Sequence, residues 1–206
     1  MRATDIDIRP AGQADLEAIN RVIEAAVMTW HLPDRVKRLS LPAYRYDSVD
    51  LGHLDVVLAE DRRRTIIGIA AWEQADAKEL PAGNRALSLH GIYIDPSHHR
   101  QGIGSKLFRV VEEAVRKHGF NGLLVKAQQG SNGFFISQEM QRLQADDPLH
   151  QYANRFWKSA ASIMTSPECA GLRLSRTRNM QLTLYPGLNS CPRGTLRRII
   201  SSHHAF

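Results

Sequence analysis

Residues 86–107 (ALSLHGIYIDPSHHRQGIGSKL) constrain the fold more than any other stretch of this chain. Residues 86–94 are apolar or small, which predicts a buried strand. The Asp95-Pro96 pair ends that strand, because proline cannot donate to a sheet ladder. Two glycines, Gly102 and Gly104, then lead into an apolar-periodic run that predicts a helix. A strand, a basic loop with glycines and a helix N-terminus together predict an anion site, since unpaired N–H groups and the positive end of the helix dipole face the ligand.

Pyrophosphate is the anion that we expect in this site, and the glycine spacing narrows its carrier. A Rossmann fingerprint needs a third glycine where this chain has Leu107, and the sequence contains no P-loop string. The loop instead resembles the acyl-CoA motif R/Q-x-x-G-x-G/A of the GNAT acetyltransferase superfamily, with His99-Arg100-Gln101-Gly102-Ile103-Gly104 as the match. His99 departs from the usual Arg or Gln, although the backbone amides that hold phosphates do not depend on that side chain. The resemblance covers roughly residues 5–160.

The resemblance implies a fold and a co-substrate. The expected fold class is α/β, a mixed α+β sheet of GNAT type, with mostly antiparallel N-terminal strands and a splayed central pair that holds acetyl-CoA. The strand backbone would hold the pantetheine and the carbonyl, and the loop amides would hold the pyrophosphate, with Arg100 and Lys106 adding charge. The cofactor-binding residues implied in this way are Ile92, Tyr93, Ile94, His99, Arg100, Gln101, Gly102, Ile103, Gly104, Ser105 and Lys106. No metal is expected.

His90 is the candidate general base. The strand Leu89-His90-Gly91-Ile92-Tyr93-Ile94 resembles the L-H-x-L-x-V strand of arylalkylamine N-acetyltransferases, whose histidine has this role. His90 lies two residues before Ile92, which predicts that the two share one face of the strand. An imidazole changes charge near neutral pH, which suits removal of a proton from an ammonium group. The alternative interpretation is a buried histidine that hydrogen-bonds a neighbouring strand. Ser88 stands where other members carry a catalytic glutamate, and it cannot serve as a base unaided.

Two further parts of the site follow from the family pattern. Its segment A-x-x-F-Y-x-x-x-G-F supplies a tyrosine that protonates the departing thiolate, and residues 131–140 and 153–157 compete for that placement. The first is preferred because it follows the preceding strand at once. Phe135 then takes the place of the tyrosine, which leaves the general acid open. The region between the first two helices helps to form the acceptor pocket in this family. The candidate substrate-binding residues are therefore Trp30, His31, Tyr44 and Tyr46. The alternative interpretation is that these are ordinary aromatic residues of the core and its rim.

Periodicity and turn residues predict the remaining elements. Alternation at Ile6 and Ile8 predicts a first strand, and Gly68 in mid-strand predicts a bulge or a close approach of another backbone. The predicted helices cover 14–30, 34–40 and the run after the glycine loop to about 117, and the further strands cover 54–60, 65–72, 122–127, 140–143 and 152–158.

Charge separates the predicted domain from the C-terminal tail. From residue 165 onward there are six arginines and one acidic residue, which accounts for most of the net charge of +6. We therefore predict an acetyltransferase domain at 5–162 and a basic extension at 163–206. A nearly neutral domain gives no support for nucleic-acid binding. The sequence lacks an apolar run of membrane-spanning length and the apolar core of a signal peptide, so a cytoplasmic protein without membrane partners is expected, with Cys169 and Cys191 as free thiols.

Two functions are consistent with this sequence. The first is an N-acetyltransferase that moves the acetyl group of acetyl-CoA to a primary amine by direct attack. Its acceptor would be a small molecule or a protein amine, and a homodimer is left open. The second is a catalytically silent acyl-CoA-binding or sensing domain, which the replacements at Phe135 and Ser88 suggest. Release of free CoA thiol in the presence of amines separates the two.

Overall fold

The computed structural model describes residues 6–80, 83–143 and 154–165. In chain order the elements are β1 (Asp7–Pro10), α1 (Leu16–Met28), α2 (Asp34–Tyr44), α3 (Asp50–His53), β2 (Asp55–Glu60), β3 (Ile66–Gln74), β4 (Ala86–Ile94), α4 (Ile103–Lys117), β5 (Gly122–Lys126), α5 (Asn132–Ser137), β6 (Gln141–Leu143), β7 (Arg155–Ser159) and α6 (Ala160–Thr165). The strands form one sheet in the order β1-β2-β3-β4-β5-β7-β6. All neighbours are antiparallel except β4 and β5, so the predicted mixed α/β class is confirmed.

The only parallel pair in the described sheet opens into a gap. β4 pairs with β5 from Ala86 to Leu89, whereas its pairing with β3 continues to Ile94. β5 meanwhile stays with β7, and just beyond it the N–H of Ala127 donates to the Asn154 carbonyl at 2.8 Å. The second half of β4 is therefore not paired on the β5 side. This is the splayed central pair that the sequence predicts.

Helices cover both faces of the sheet and fix the position of the glycine loop. α4 packs against one face and α1 against the other, and each contributes fully buried apolar side chains. Gly68 lies beneath the start of α4, where an added Cβ would be 2.9 Å from Ile94 Cδ1 and 3.2 Å from Leu107 Cδ1. These neighbours are side-chain atoms, so the predicted close approach of another backbone is not what the structure shows. The alternative prediction, a bulge, is confirmed beside this glycine, because Ala59 pairs with Gly68 whereas Glu60 pairs with Ile66.

The region between α1 and β2 differs from the prediction in two ways. α2 continues through Pro42 to Tyr44 instead of ending at Ser40. Pro42 falls in the last turns, and the following N–H of Arg45 still donates to the Leu41 carbonyl at 3.2 Å, so the turn closes. The short helix α3 was not predicted, since its four residues are too few to show a period.

The C-terminal end of the described fold lies beyond the predicted boundary at residue 162. α6 runs from Ala160 to Thr165, and Ile163 within it is fully buried in the core on the α4 side. Tyr152, predicted at the start of the last strand, and both cysteines lie outside the described residues, as does the chain from residue 166 onward. Within the described ranges, no helix has the length and apolar character needed to cross a bilayer.

Candidate active site

The glycine loop turns the chain from the end of β4 into α4. Gly102, directly before the helix, has a φ of +78° and Arg100 a φ of +59°, so both are in the left-handed region. Glycine adopts this conformation without penalty, whereas a residue such as Arg100 pays about 1 kcal/mol for it. Residues in this region occur in turns, as at Arg64 here, and they also cluster at active sites and ligand clamps. The first-turn amides of α4, which have no partner within the helix, point out beside this loop.

Hydrogen bonds hold the loop to the end of the sheet. The N–H of Asp95 donates to the Ile67 carbonyl at 2.9 Å, and Ser97 donates to the Asp95 carboxylate through both its backbone N–H and its hydroxyl. The hydroxyl contact is the main reason that the pKa of Asp95 lies below its usual range. His99 Nε2 lies 3.1 Å from the Ile94 carbonyl oxygen. This predicted cofactor residue therefore ties the loop to β4.

The N-terminus of α4 contacts α5. An added Cβ at Gly104 would lie 3.2 Å from Phe134 Cε2, and Gln138 Nε2 donates to Ser105 Oγ at 3.3 Å. The family segment on α5 is thus next to the glycine loop and the start of α4, as the preferred placement at 131–140 requires. The competing stretch contributes its residues 155–157 to strand β7, which excludes the alternative placement.

The backbone at Glu139 and the burial of two neighbouring side chains support this placement further. Glu139, at the position of the family's glycine, has a φ of +60°. Met140, at the position of the family's final phenylalanine, is buried. Phe135 is also buried, with its ring centroid 5.8 Å from that of Phe156 and 5.2 Å from that of Phe134. Phe135 is therefore a core residue at the tyrosine's position.

His90 lies at an irregularity of β4. The register with β3 shifts by one residue there, because Ala71 pairs with Gly91 and Trp72 pairs with Leu89. The bulge breaks the two-residue alternation. The prediction that His90 shares a face with Ile92 is consequently wrong: Ile92 packs against the core on the α4 side, whereas His90 faces a carboxylate on the opposite side.

That carboxylate belongs to Glu73 on β3. His90 Nε2 lies 2.7 Å from Glu73 Oε1, and both side chains are partly open to solvent. This hydrogen bond is the main reason that the pKa of Glu73 lies below its usual range. The buried-histidine alternative does not fit, because the imidazole is 33% exposed. The sequence alone did not predict that Glu73 contacts His90, because only the register between β3 and β4 brings the two side chains together.

The aromatic candidates from the α1–α2 region divide into three environments. Trp30 and Tyr44 meet edge to face, with ring centroids 5.0 Å apart, and Gln128 Nε2 donates to the Tyr44 hydroxyl at 2.7 Å. Tyr46 has a buried hydroxyl without a partner among the described residues, and burial raises its pKa well above the usual value. His31 is exposed. The structure therefore brings Trp30 and Tyr44 together, with Tyr46 partly buried against the same core.

The model of the acetyltransferase (GNAT) family matches residues 24–137, which is more than half of the chain and includes the glycine loop and α5. The chain belongs to the GNAT acetyltransferase family. Its predicted membership is thus confirmed. No curated protein matches the sequence of this GNAT chain.

Solved GNAT structures have the same fold. The GCN5-related N-acetyltransferase of Ralstonia eutropha has 17% identity and a TM-score of 0.59, with 69% of this chain and 97% of that chain covered. PaiA N-acetyltransferase of Thermoplasma acidophilum, solved in complex with coenzyme A, has 16% identity and a TM-score of 0.58, with coverage of 74% and 96%. AtaTR bound with AcCoA has 18% identity and a TM-score of 0.55, with coverage of 78% and 97%. Identities this low show the fold alone.

Proposed function

We propose that this GNAT protein transfers the acetyl group of acetyl-CoA to a primary amine by direct attack. The observation that carries the proposal is the continuation of β4 from Leu89 to Ile94 beyond its pairing with β5, directly into the glycine loop. A gap with unpaired backbone on one side, and an anion site at its end, suits an elongated ligand with a pyrophosphate. The complexes of PaiA with coenzyme A and of AtaTR with AcCoA support this assignment, since both share the fold.

The cofactor contacts in this proposal are mostly backbone contacts. Ile92 and Ile94 offer N–H groups along the gap to the pantetheine arm and the thioester carbonyl. The N–H of Tyr93 points to β3 instead, because N–H directions alternate along a strand and that of Asp95 donates to the Ile67 carbonyl on β3. The amides of residues 100–105 receive the pyrophosphate at the positive end of the α4 dipole. Arg100 and Lys106 add charge there. Preorganised donors of this kind stabilise the negative charge that develops on the carbonyl oxygen during attack.

Glu73 determines which nitrogen of His90 can act as the base. A carboxylate only accepts hydrogen bonds, so the neutral imidazole must carry its proton on Nε2, which faces Glu73 Oε1 at 2.7 Å. Nδ1 is then the atom that accepts a proton. The low pKa of Glu73 keeps its carboxylate ionised at neutral pH, so it also stabilises the imidazolium that forms.

The transfer proceeds from these groups in three steps. His90 Nδ1 takes a proton from the acceptor ammonium, directly or through a water. The neutral amine nitrogen attacks the carbonyl carbon, whose oxygen is held by backbone N–H groups. The carbon–sulfur bond then breaks, the thiolate leaves, and the acylated nitrogen loses its remaining extra proton. Trp30 and Tyr44, on the same side of the sheet as His90, would form the wall against which the acceptor lies.

The experiment is release of free CoA thiol with a panel of small primary amines and lysine peptides. His90→Gln should lower kcat by about 10²- to 10⁴-fold near neutral pH while leaving the acetyl-CoA Kd unchanged, because the cofactor is held elsewhere. The loss should shrink as pH rises and more amine is neutral. In the matched variant Glu73→Gln, the amide oxygen still accepts from Nε2, so its loss should be much smaller than that of Glu73→Leu.

Two results would contradict this proposal. A folded His90→Gln variant with full activity would show that the base lies elsewhere. A wild-type protein that binds acetyl-CoA but releases no thiol with any amine would favour the silent acyl-CoA-binding domain, in line with the replacement of the family's tyrosine by Phe135.

A further inference from the structure

A proton donor stabilises a thiolate leaving group. In this chain the position of the family's tyrosine, residue 135, cannot supply that proton. Phe135 has no ionisable hydrogen, and its ring is buried among other phenylalanines. Within the described residues, three tyrosines remain to be considered. Tyr93 and the hydroxyl of Tyr46 are buried, whereas the hydroxyl of Tyr44 takes part in a solvent-exposed hydrogen bond. Tyr44 is therefore the phenol that a ligand can reach.

Tyr44 interacts with groups on both sides of the gap between β4 and β5. Its hydroxyl accepts a hydrogen bond from Gln128, which follows β5 by two residues. Its ring packs against the core that contains Tyr93, which belongs to the half of β4 that is not paired on the β5 side. Burial raises the pKa of Tyr93, and the nearby Tyr44 phenol raises it further. The Tyr44 side chain, at the end of α2, therefore interacts with a residue that follows β5 and packs against the core that includes a residue of β4.

The contacts of Tyr44 suit a proton donor. Trp30 holds the phenol ring edge to face, at an interplanar angle of 88°. The Gln128 amide donates to the phenol oxygen, and such a donor stabilises the phenolate without using the phenol's own proton. Trp30 therefore holds the ring in place, and Gln128 favours the ionised form of the hydroxyl after transfer.

We infer that Tyr44 is the group that donates a proton to the sulfur of CoA when the thioester breaks. This inference rests on the proposed function, because it places the thioester in the gap. A nucleophile adds to the carbonyl carbon, the carbon–sulfur bond breaks, and its electron pair remains on sulfur. Sulfur takes the Tyr44 proton, and the phenolate regains a proton from the acylated nitrogen or from water. The leaving group is the same whether an amine or water attacks.

That equivalence gives a test that does not depend on knowing the acceptor. Slow hydrolysis of acetyl-CoA by the wild-type protein, followed as thiol release, needs the same leaving-group proton. Tyr44→Phe keeps the ring and its contact with Trp30, and should reduce this hydrolysis and the amine-dependent kcat by about the same factor, on the order of 10²-fold. The amine KM, the acetyl-CoA Kd and the thermal midpoint should stay unchanged. Gln128→Leu, which removes only the supporting donor, should give a smaller reduction in both rates.

The possible outcomes separate this inference from the proposed function. Unchanged hydrolysis in Tyr44→Phe, with a raised amine KM or with no change, would overturn the assignment and leave Tyr44 as a pocket wall. Hydrolysis that depends on Tyr44, without transfer to any amine, would support this inference and overturn the proposed acceptor chemistry. A wild-type protein with neither activity would overturn both.

Discussion

Replacing Gly104 by glutamate should separate cofactor binding from folding. Gly104 is the second residue of α4, and its backbone is helical. Glutamate there gains about 0.5–1 kcal/mol of helix propensity over glycine, and a carboxylate in the first turn adds about 0.3–1 kcal/mol through the helix dipole. Against this, the new Cβ would lie 3.2 Å from Phe134 Cε2, so that ring must shift slightly. The free energy of unfolding should therefore change by less than about 1 kcal/mol.

The same carboxylate should weaken binding of acetyl-CoA strongly. A charge roughly 6 Å from each of the two pyrophosphate charges, at an effective dielectric constant of about 40, costs about 1.4 kcal/mol per pair. The total of about 3 kcal/mol corresponds to roughly a 100-fold rise in Kd. This estimate applies only if the pyrophosphate lies against the first turn of α4.

Gly104→Gln is the matched control, because it has the same shape without the charge. Calorimetry with acetyl-CoA should show weaker binding by the glutamate variant than by the glutamine variant. Their difference should shrink between 0.1 M and 1 M salt, as the screening length falls from about 10 Å to about 3 Å. If both variants are folded and bind acetyl-CoA as tightly as the wild type, the anion site has been assigned wrongly.

Three further predictions concern stability. Glu139→Gly should raise the free energy of unfolding by about 0.5 kcal/mol in urea titration, because glycine relieves the φ of +60°. The pair that it loses, at 3.6 Å from the buried Lys158, is long, and Lys158 keeps Glu112 at 2.8 Å; a decrease would mean that the lost pair matters more. Truncation after Ser162 should lower the thermal midpoint clearly, because it removes Ile163, the fully buried residue of α6. Truncation after Cys169 should leave the midpoint nearly unchanged. Equal midpoints for the two truncated proteins would contradict the burial argument. Arg9 holds the pKa of Asp15 below its usual range, so the carboxylate stabilises the fold above about pH 4 and loses this effect as pH falls through the lowered pKa. Asp15→Asn should therefore be less stable at pH 7 and lose less stability on acidification, and parallel curves for the two proteins would refute the linkage.

The strand, loop and helix around the anion site were predictable because their signals are local. The apolar run of β4, the Asp95-Pro96 break and the glycines before α4 each act within a few residues, and the observed bounds agree with the prediction. The placement of the α5 segment rested on a short connection, which is also a local property. α2 is longer than predicted because a proline in the last turns of a helix removes few hydrogen bonds.

The parts of the site that sequence reasoning missed depend on pairing between distant segments. The bulge at His90 arises from the register between β3 and β4, and strand periodicity alone assigns the wrong face. Glu73 is 17 residues away from His90, and Gln128 is 84 residues away from Tyr44. No local pattern encodes either contact, since each requires the sheet to be assembled first.

The fate of an isotopically labelled acetyl group tests the central claim most directly. The wild-type protein would be incubated with acetyl-CoA labelled in the acetyl group and a mixture of primary amines and lysine peptides, and the products separated by mass spectrometry. We predict that the label appears on an amine nitrogen, with one free CoA thiol released for each acetyl group transferred. Label that remains on CoA, or that appears only as acetate, would contradict an acetyltransferase acting on amines.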